Sequence, residues 1–135
     1  MSMFSIFGVS GSAISAQSQR LNVVASNLAN ADAVAGPDGK SYKGRQVVFE
    51  TVPMGPQASA GVKVKTITEN QEPGRRIHNP AHPMADGQGY VTQSNVNPVE
   101  EMVNMISASR SYQNNVEVVN TARQLMSRTL DIIKS

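Results

Sequence analysis

The sequence predicts a mainly α-helical protein whose long N- and C-terminal helices pair as an α-helical coiled coil, with a small β-hairpin plus an extended arm between them. Three observations predict this fold. Apolar residues recur in steps of four and three near both ends. No Gly or Pro occurs from Val99 to Ser135. By contrast, residues 32–96 hold eight of the ten glycines and six of the seven prolines. We therefore expect three segments: an N-terminal coiled-coil helix (residues 1–33), a middle segment (34–96) and a C-terminal coiled-coil helix (97–135).

The first predicted helix follows from a stripe of nine positions, seven of them apolar, that spans about four heptads. The helix should end between Asn30 and Pro37, because residues 36–39, Gly-Pro-Asp-Gly, form a dense turn signal. The stripe consists of Met3, Phe7, Ser10, Ile14, Gln17, Leu21, Val24, Leu28 and Ala31.

The middle segment contains two runs rich in β-branched residues, at 46–52 and 62–68, and the second alternates in polarity. The Pro-rich stretch 53–61 joins them, so a β-hairpin is predicted. Two strands alone are marginal in water and need further packing. Residues 70–96 are predicted to form an extended, Pro-bounded arm, with a short strand at 90–92.

The second long helix has a well-marked start. Asn97 is a favourable N-cap, Pro98 suits the first helical position, and Glu100 lies three residues after the cap. A helix of roughly 35 residues is far longer than the average in globular proteins, which favours a coiled coil. Its predicted stripe consists of Met102, Met105, Ser109, Tyr112, Val116, Val119, Arg123, Met126, Leu130 and Ile133.

From the two stripes we select the residues expected to carry packing and assembly, and we call them the assembly seam. They are Ile14, Leu21, Val24, Leu28, Met105, Tyr112, Val116, Val119, Met126, Leu130 and Ile133.

The composition excludes several classes of protein. A net charge of +2 is too small a surplus for a surface that neutralises many phosphates, so no nucleic acid partner is expected. No apolar run approaches the ~18 residues of a membrane span. Cysteine is absent, which removes disulfides and thiol chemistry. No basic residue precedes Arg20, so we expect no cleaved signal peptide.

No catalytic, cofactor or metal site is predicted. His78 and His82 are four residues apart, but Pro80 and Pro83 prevent the helix that would bring both rings to one side. Asp86 is the only carboxylate near them, whereas structural metal sites usually offer four ligands. No set of nucleophile, base and orienting group can be assembled either, so an enzyme is not expected.

The faces of the first helix indicate how it is buried. Arg20 is its only charged residue, and the positions off the stripe are mostly Ser and Asn. A helix exposed to water would normally carry Lys and Glu there. Burial inside an intramolecular bundle is one explanation. Two helices cannot cover all of each other's faces, however, so we favour burial by further copies or other subunits.

Four stretches resemble the axial proteins of the bacterial flagellum. Residues 26–31, Ser-Asn-Leu-Ala-Asn-Ala, resemble the Asn-rich end of the N-terminal helix in rod and hook proteins. Residues 82–91 and 95–102 are similar to a signature of one short rod subunit, and residues 105–116 resemble the C-terminal helix of the family. The matches cover both ends of the chain and the segment before the second helix.

The resemblance implies a structural subunit of the flagellar basal-body proximal rod, a hollow helical shaft that transmits torque and encloses the export channel. It implies partners among rod subunits, including further copies, and among the basal-body ring and export-gate components. It also implies periplasmic localisation after export by the flagellar type III apparatus, with termini that fold on assembly. The alternative is a soluble coiled-coil adaptor or export chaperone, and a small metalloenzyme is a more distant third.

Overall fold

A computed structural model describes residues 3–56 and 58–135. The elements are helix α1 (Met3–Ala29), strands β1 (Arg45–Pro53), β2 (Ala60–Glu69), β3 (Arg76–His78) and β4 (Tyr90–Thr92), and helix α2 (Pro98–Lys134). Residues 1 and 2 of the predicted N-terminal segment lie outside the described residues. The two long terminal helices are in contact and small antiparallel sheets lie between them in sequence, so the predicted mainly α fold is confirmed.

Helix α2 begins at the predicted cap. The Asn97 side chain accepts hydrogen bonds from the backbone N–H groups of Val99 (3.1 Å) and Glu100 (3.4 Å), and Pro98 occupies the first turn. A cap of this kind satisfies N–H groups that have no partner within the helix. At the other boundary, Gly39 N–H donates to the Gly36 carbonyl at 2.9 Å, and Gly39 has a φ of 73°. That positive φ explains the glycine in the turn that follows α1.

The predicted hairpin is formed by β1 and β2, which pair from Arg45 with Glu69 to Pro53 with Ala60. The register shifts by one residue between Val48 and Phe49. The hairpin packs on α1, which supplies the additional packing that two strands need. Ser12 of α1 contributes directly, because its Oγ accepts a hydrogen bond from the Val62 backbone N–H at 3.1 Å.

The extended arm contains more structure than predicted. The short strand at 90–92 is present as β4, and it pairs antiparallel with β3 at 76–78, which the sequence did not indicate. Strand β3 is only three residues long and exposed, so it leaves no alternating pattern in the sequence. The loop between the strands is closed by Asp86, whose Oδ1 accepts from the backbone N–H groups of Gln88 and Tyr90, each at 2.9 Å.

A small buried group joins the segment after α1 to β4 and to the segment before α2. Ala31, Ala35, Val91 and Val96 are buried there. Ser94 is fully buried beside them and donates a hydrogen bond to the Ala31 carbonyl at 2.6 Å. The segment that follows α1 is therefore fixed against the segment that precedes α2, so the two helices meet at this end of the molecule.

Candidate functional site

The helix pair is antiparallel, because the end of α1 lies beside the start of α2. Asn27 donates a hydrogen bond to Glu101 Oε2 at 3.0 Å. Both helices rise by the same distance per residue. Met3, 24 positions before Asn27, therefore lies opposite roughly residue 125, which is 24 positions after Glu101. Helix α1 has 27 residues and α2 has 37, so about two turns of α2 extend past Met3. We call residues 127–134 the α2 extension.

Most residues of the assembly seam are at least partly buried. Val24 is 5% exposed. Leu130 and Ile133 are different: they are 53% and 73% exposed, because they lie in the α2 extension. The remaining seam residues are half-buried: Ile14, Leu21, Leu28, Met105, Tyr112, Val116, Val119 and Met126.

The most buried side chains of α2 are small. Ala108 is 0% exposed and Ala122 is 3% exposed. Each comes one position before a stripe residue of the sequence prediction, Ser109 and Arg123. Small side chains allow two helices to approach closely, and an apolar stripe chosen for large residues does not single them out. Sequence reasoning therefore missed both alanines, although their spacing of 14 residues is two heptads.

A second apolar surface lies at the opposite end of α2. Four residues spaced by three and four positions share one side of the first two turns, and they are 53–70% exposed. These residues, which we call the α2 entry face, are Val99, Met102, Val103 and Ile106. Contiguous exposed apolar patches are typical of surfaces that bind a protein, a membrane or a ligand.

Polar contacts fix the end of α1 against the hairpin and α2. Asn27 is 1% exposed, and its side chain takes part in four hydrogen bonds. Its Oδ1 accepts from the Tyr42 hydroxyl at 2.9 Å and from the Arg45 N–H at 3.0 Å. Its Nδ2 donates to the Arg45 carbonyl at 2.8 Å and to Glu101. One amide therefore connects both helices with the start of β1.

Burial is the main cause that raises the pKa of the Tyr42 phenol above 10.0; Arg45 partly opposes the shift and Glu101 adds to it. The hydroxyl therefore remains protonated at neutral pH and can donate to Asn27. In the sequence Asn27 lies off the stripe, and we expected such polar residues to face other subunits. Part of that expectation needs correction, because Asn27 and Ser12 both bond to the chain's own β-hairpin.

The two histidines lie in the β3–β4 hairpin. The His78 ring packs edge-on against Tyr90 with 4.9 Å between centroids, and His82 Nδ1 accepts from the Met84 N–H at 3.0 Å. Within residues 3–56 and 58–135, no three His, Asp or Glu side chains are grouped so that they could hold a metal ion. In the same part of the chain, no helix is long and apolar enough to span a bilayer.

A pocket of about 170 Å³ lies where α1, β1 and α2 meet. Its polar lining includes two guanidinium groups, from Arg20 and Arg45, together with one carboxylate, from Glu101. The other lining residues are Val23, Val24, Gln46, Val47 and Asn104.

Comparison with known proteins matches the two ends of the chain to two family models. The model described as flagella basal body rod protein matches residues 7–37. The model described as flagellar basal body rod FlgEFG protein C-terminal matches residues 88–132. These ranges contain most of both helices, and residues 38–87 lie between the two matches.

Whole-chain relatives are similar throughout. The flagellar basal-body rod protein FlgC of Salmonella typhimurium is 52% identical over 132 residues, covering 98% of both chains. FlgC of Escherichia coli O157:H7 is 53% identical over the same length and coverage. FlgC of Buchnera aphidicola subsp. Acyrthosiphon pisum is 47% identical over 134 residues, again with 98% coverage of both chains.

Proposed function

Because the chain belongs to the FlgC family of flagellar basal-body rod proteins and is a structural, non-enzymatic rod subunit, we propose that it builds the proximal rod through the two exposed apolar surfaces of its C-terminal helix. In this proposal the subunits form a hollow helical shaft with further copies and with other rod proteins. The shaft transmits torque and encloses the export channel. Basal-body ring and export-gate components are the expected neighbours at its base.

The observation that carries the proposal is the exposure of Leu130 and Ile133. Both continue the heptad spacing of the α2 residues that face α1, but α1 does not extend that far. Burying such a side chain stabilises a protein by roughly 1.5–3 kcal/mol. The α2 extension therefore favours contact with a neighbouring subunit, which would continue the packing that α1 begins. The α2 entry face offers a second contact at the other end of the same helix.

The three segments suit different parts of this assembly. Residues 1–33 and 97–135 would form the axial helix pair around the channel. The middle segment, residues 34–96, would make contacts outward and along the axis. Torque transmission requires many distributed contacts, so no single residue is expected to act as a site in the enzymatic sense.

Export by the flagellar type III apparatus, without a cleaved signal peptide, completes the proposal. Termini that fold on incorporation would suit this route, since ordering them would be stabilised by the surfaces that neighbouring subunits bury. The α2 extension has no partner within the described chain to stabilise it, which supports folding on assembly for at least that segment.

The test uses a bacterium whose own rod subunit gene of this kind is deleted. The wild-type chain should restore basal bodies and swimming. Leu130→Asp should abolish both, because it places an unpaired charge in an interface. Its control is Gln124→Asp, at an exposed polar position of the same helix. Since Leu130 is exposed in the single chain, its replacement should leave the fold of the purified protein intact.

Val116→Asp is a second variant and probes the assembly seam between the helices, where it should also block assembly. Normal basal bodies with Leu130→Asp would contradict the role of the α2 extension. Failure of the wild-type chain to enter basal bodies would contradict the proposed rod function itself. A cooperative, fully helical dimer in sedimentation and circular dichroism would favour the adaptor or chaperone alternative.

A further inference from the structure

Arg20 is the only charged residue of helix α1, and its environment is unusual for such a group. The residue is half-buried, and in the described part of the chain its side chain makes no hydrogen bond or ion pair. A guanidinium group carries five N–H donors, and no Arg20 nitrogen is both buried and unbonded, so in the single chain these donors face water and are available to a partner.

The pocket beside Arg20 is suited to an acidic group. Arg45, the second guanidinium of its lining, meets Glu69 only through Nε, at a long 3.7 Å. The carboxylate of Glu101 already accepts from Asn27 at one oxygen and from Asn104 at the other, at 3.0 Å and 3.2 Å. Glu69, outside the lining, partly offsets Arg45, so Arg20 is the guanidinium of this pocket that has no ion pair among the described residues.

We propose that this pocket receives an Asp or Glu side chain of a neighbouring rod subunit, which pairs with Arg20; the inference rests on the proposed rod function. The planar guanidinium matches a carboxylate with two parallel hydrogen bonds, a geometry that a lysine amine cannot reproduce. A volume of about 170 Å³ is large enough for one acidic side chain. Val23, Val24 and Val47 would pack against its methylene groups. The contact would fix the rotation of the helix pair relative to its neighbour.

The first test compares charge variants in the deletion strain used above. Arg20→Glu should reduce assembled basal bodies by roughly tenfold or more, because it sets two like charges against each other in a desolvated contact. Gln19→Glu introduces the same carboxylate at the adjacent exposed residue and should assemble normally. Both purified variants should unfold in urea like the wild-type chain. Normal assembly with Arg20→Glu would overturn the inference and leave the rod function, established by the wild-type chain, in place.

The second test identifies the acidic partner. Arg20→Lys places an amine in the pocket, and a zero-length carbodiimide joins an amine only to a carboxylate in direct contact with it. Treated basal bodies should yield a peptide in which the introduced amine is linked to an Asp or Glu of a neighbouring rod subunit. A cross-link to Glu101 of the same chain would show an intramolecular role for Arg20 and overturn the inference. A loss of stability in Arg20→Glu that matches its loss of assembly would do the same.

Discussion

Replacing Asn27 by alanine tests whether one amide holds the helix pair and the hairpin together. The substitution removes four hydrogen bonds, to Tyr42, to both backbone groups of Arg45 and to Glu101. A hydrogen bond contributes about 0.5–1.5 kcal/mol net, so the four together contribute roughly 2–6 kcal/mol. Glu101 and Tyr42 are only partly buried and can be rehydrated. We therefore expect the free energy of unfolding to fall by about 3 kcal/mol.

The assay is urea unfolding of the purified chain, followed by circular dichroism at the helix band. Alanine also has a higher helix propensity than asparagine, which hides part of the loss. Asn22→Ala is the matched control, because Asn22 is an exposed residue of the same helix and reports that gain alone. If the two variants differ by less than about 1 kcal/mol, the Asn27 amide does not hold the elements together and the reasoning is wrong.

Further predictions concern the β3–β4 hairpin and the start of α2. Gly74→Ala should lower the melting temperature sharply, because an added Cβ would lie 1.9 Å from the Gln93 carbonyl oxygen. Gly87→Ala is the control: its added Cβ would meet open space, so this variant should melt like the wild-type chain. The hydrogen bond from the Tyr90 N–H is the largest cause that lowers the pKa of Asp86 below 3.8. The ionised Asp86 carboxylate therefore stabilises the hairpin above pH 3.8, and this contribution is lost as the pH falls through the lower pKa of the folded state. The amide NMR shifts of residues 88–90 should follow that titration, and Asp86→Asn should remove it. Asn97→Ala should destabilise α2 by about 1 kcal/mol through loss of its cap, measured by urea unfolding; an unchanged midpoint would show that the cap is dispensable.

Local chemistry explains why so much of the fold could be predicted. The start of α2 depends on neighbouring residues only: Asn97 supplies acceptors to its own following N–H groups, and Pro98 suits a position that needs no donor. The turn after α1 depends on Gly39 in the same way. The predicted runs at 46–52 and 62–68 lie within the observed strands, because β-branched residues and alternation act over a few residues.

The candidate site was predicted less completely, because its contacts join distant parts of the sequence. Heptad spacing identifies a helix face only to within about one residue, because the face that packs is about 100° wide or more, which is also the angle between neighbouring positions. The sequence therefore could not distinguish Ser109 from Ala108, or Arg123 from Ala122, at the helix contact. Nor could it reveal that Leu130 and Ile133 lack a partner, since that depends on which residues of α1 lie opposite α2.

The sequence by itself determined two long helices and the hairpin between them, because periodicity, capping and turn chemistry are local. Its resemblance to flagellar axial proteins indicated the family. Only the tertiary structure decided which polar residues of α1 bond to other elements of the chain and which do not. Asn27 and Arg20 are both polar residues on the same helix, seven positions apart. Asn27 is satisfied because Tyr42, Arg45 and Glu101 converge on it from other elements, whereas Arg20 faces a pocket in which no free carboxylate remains.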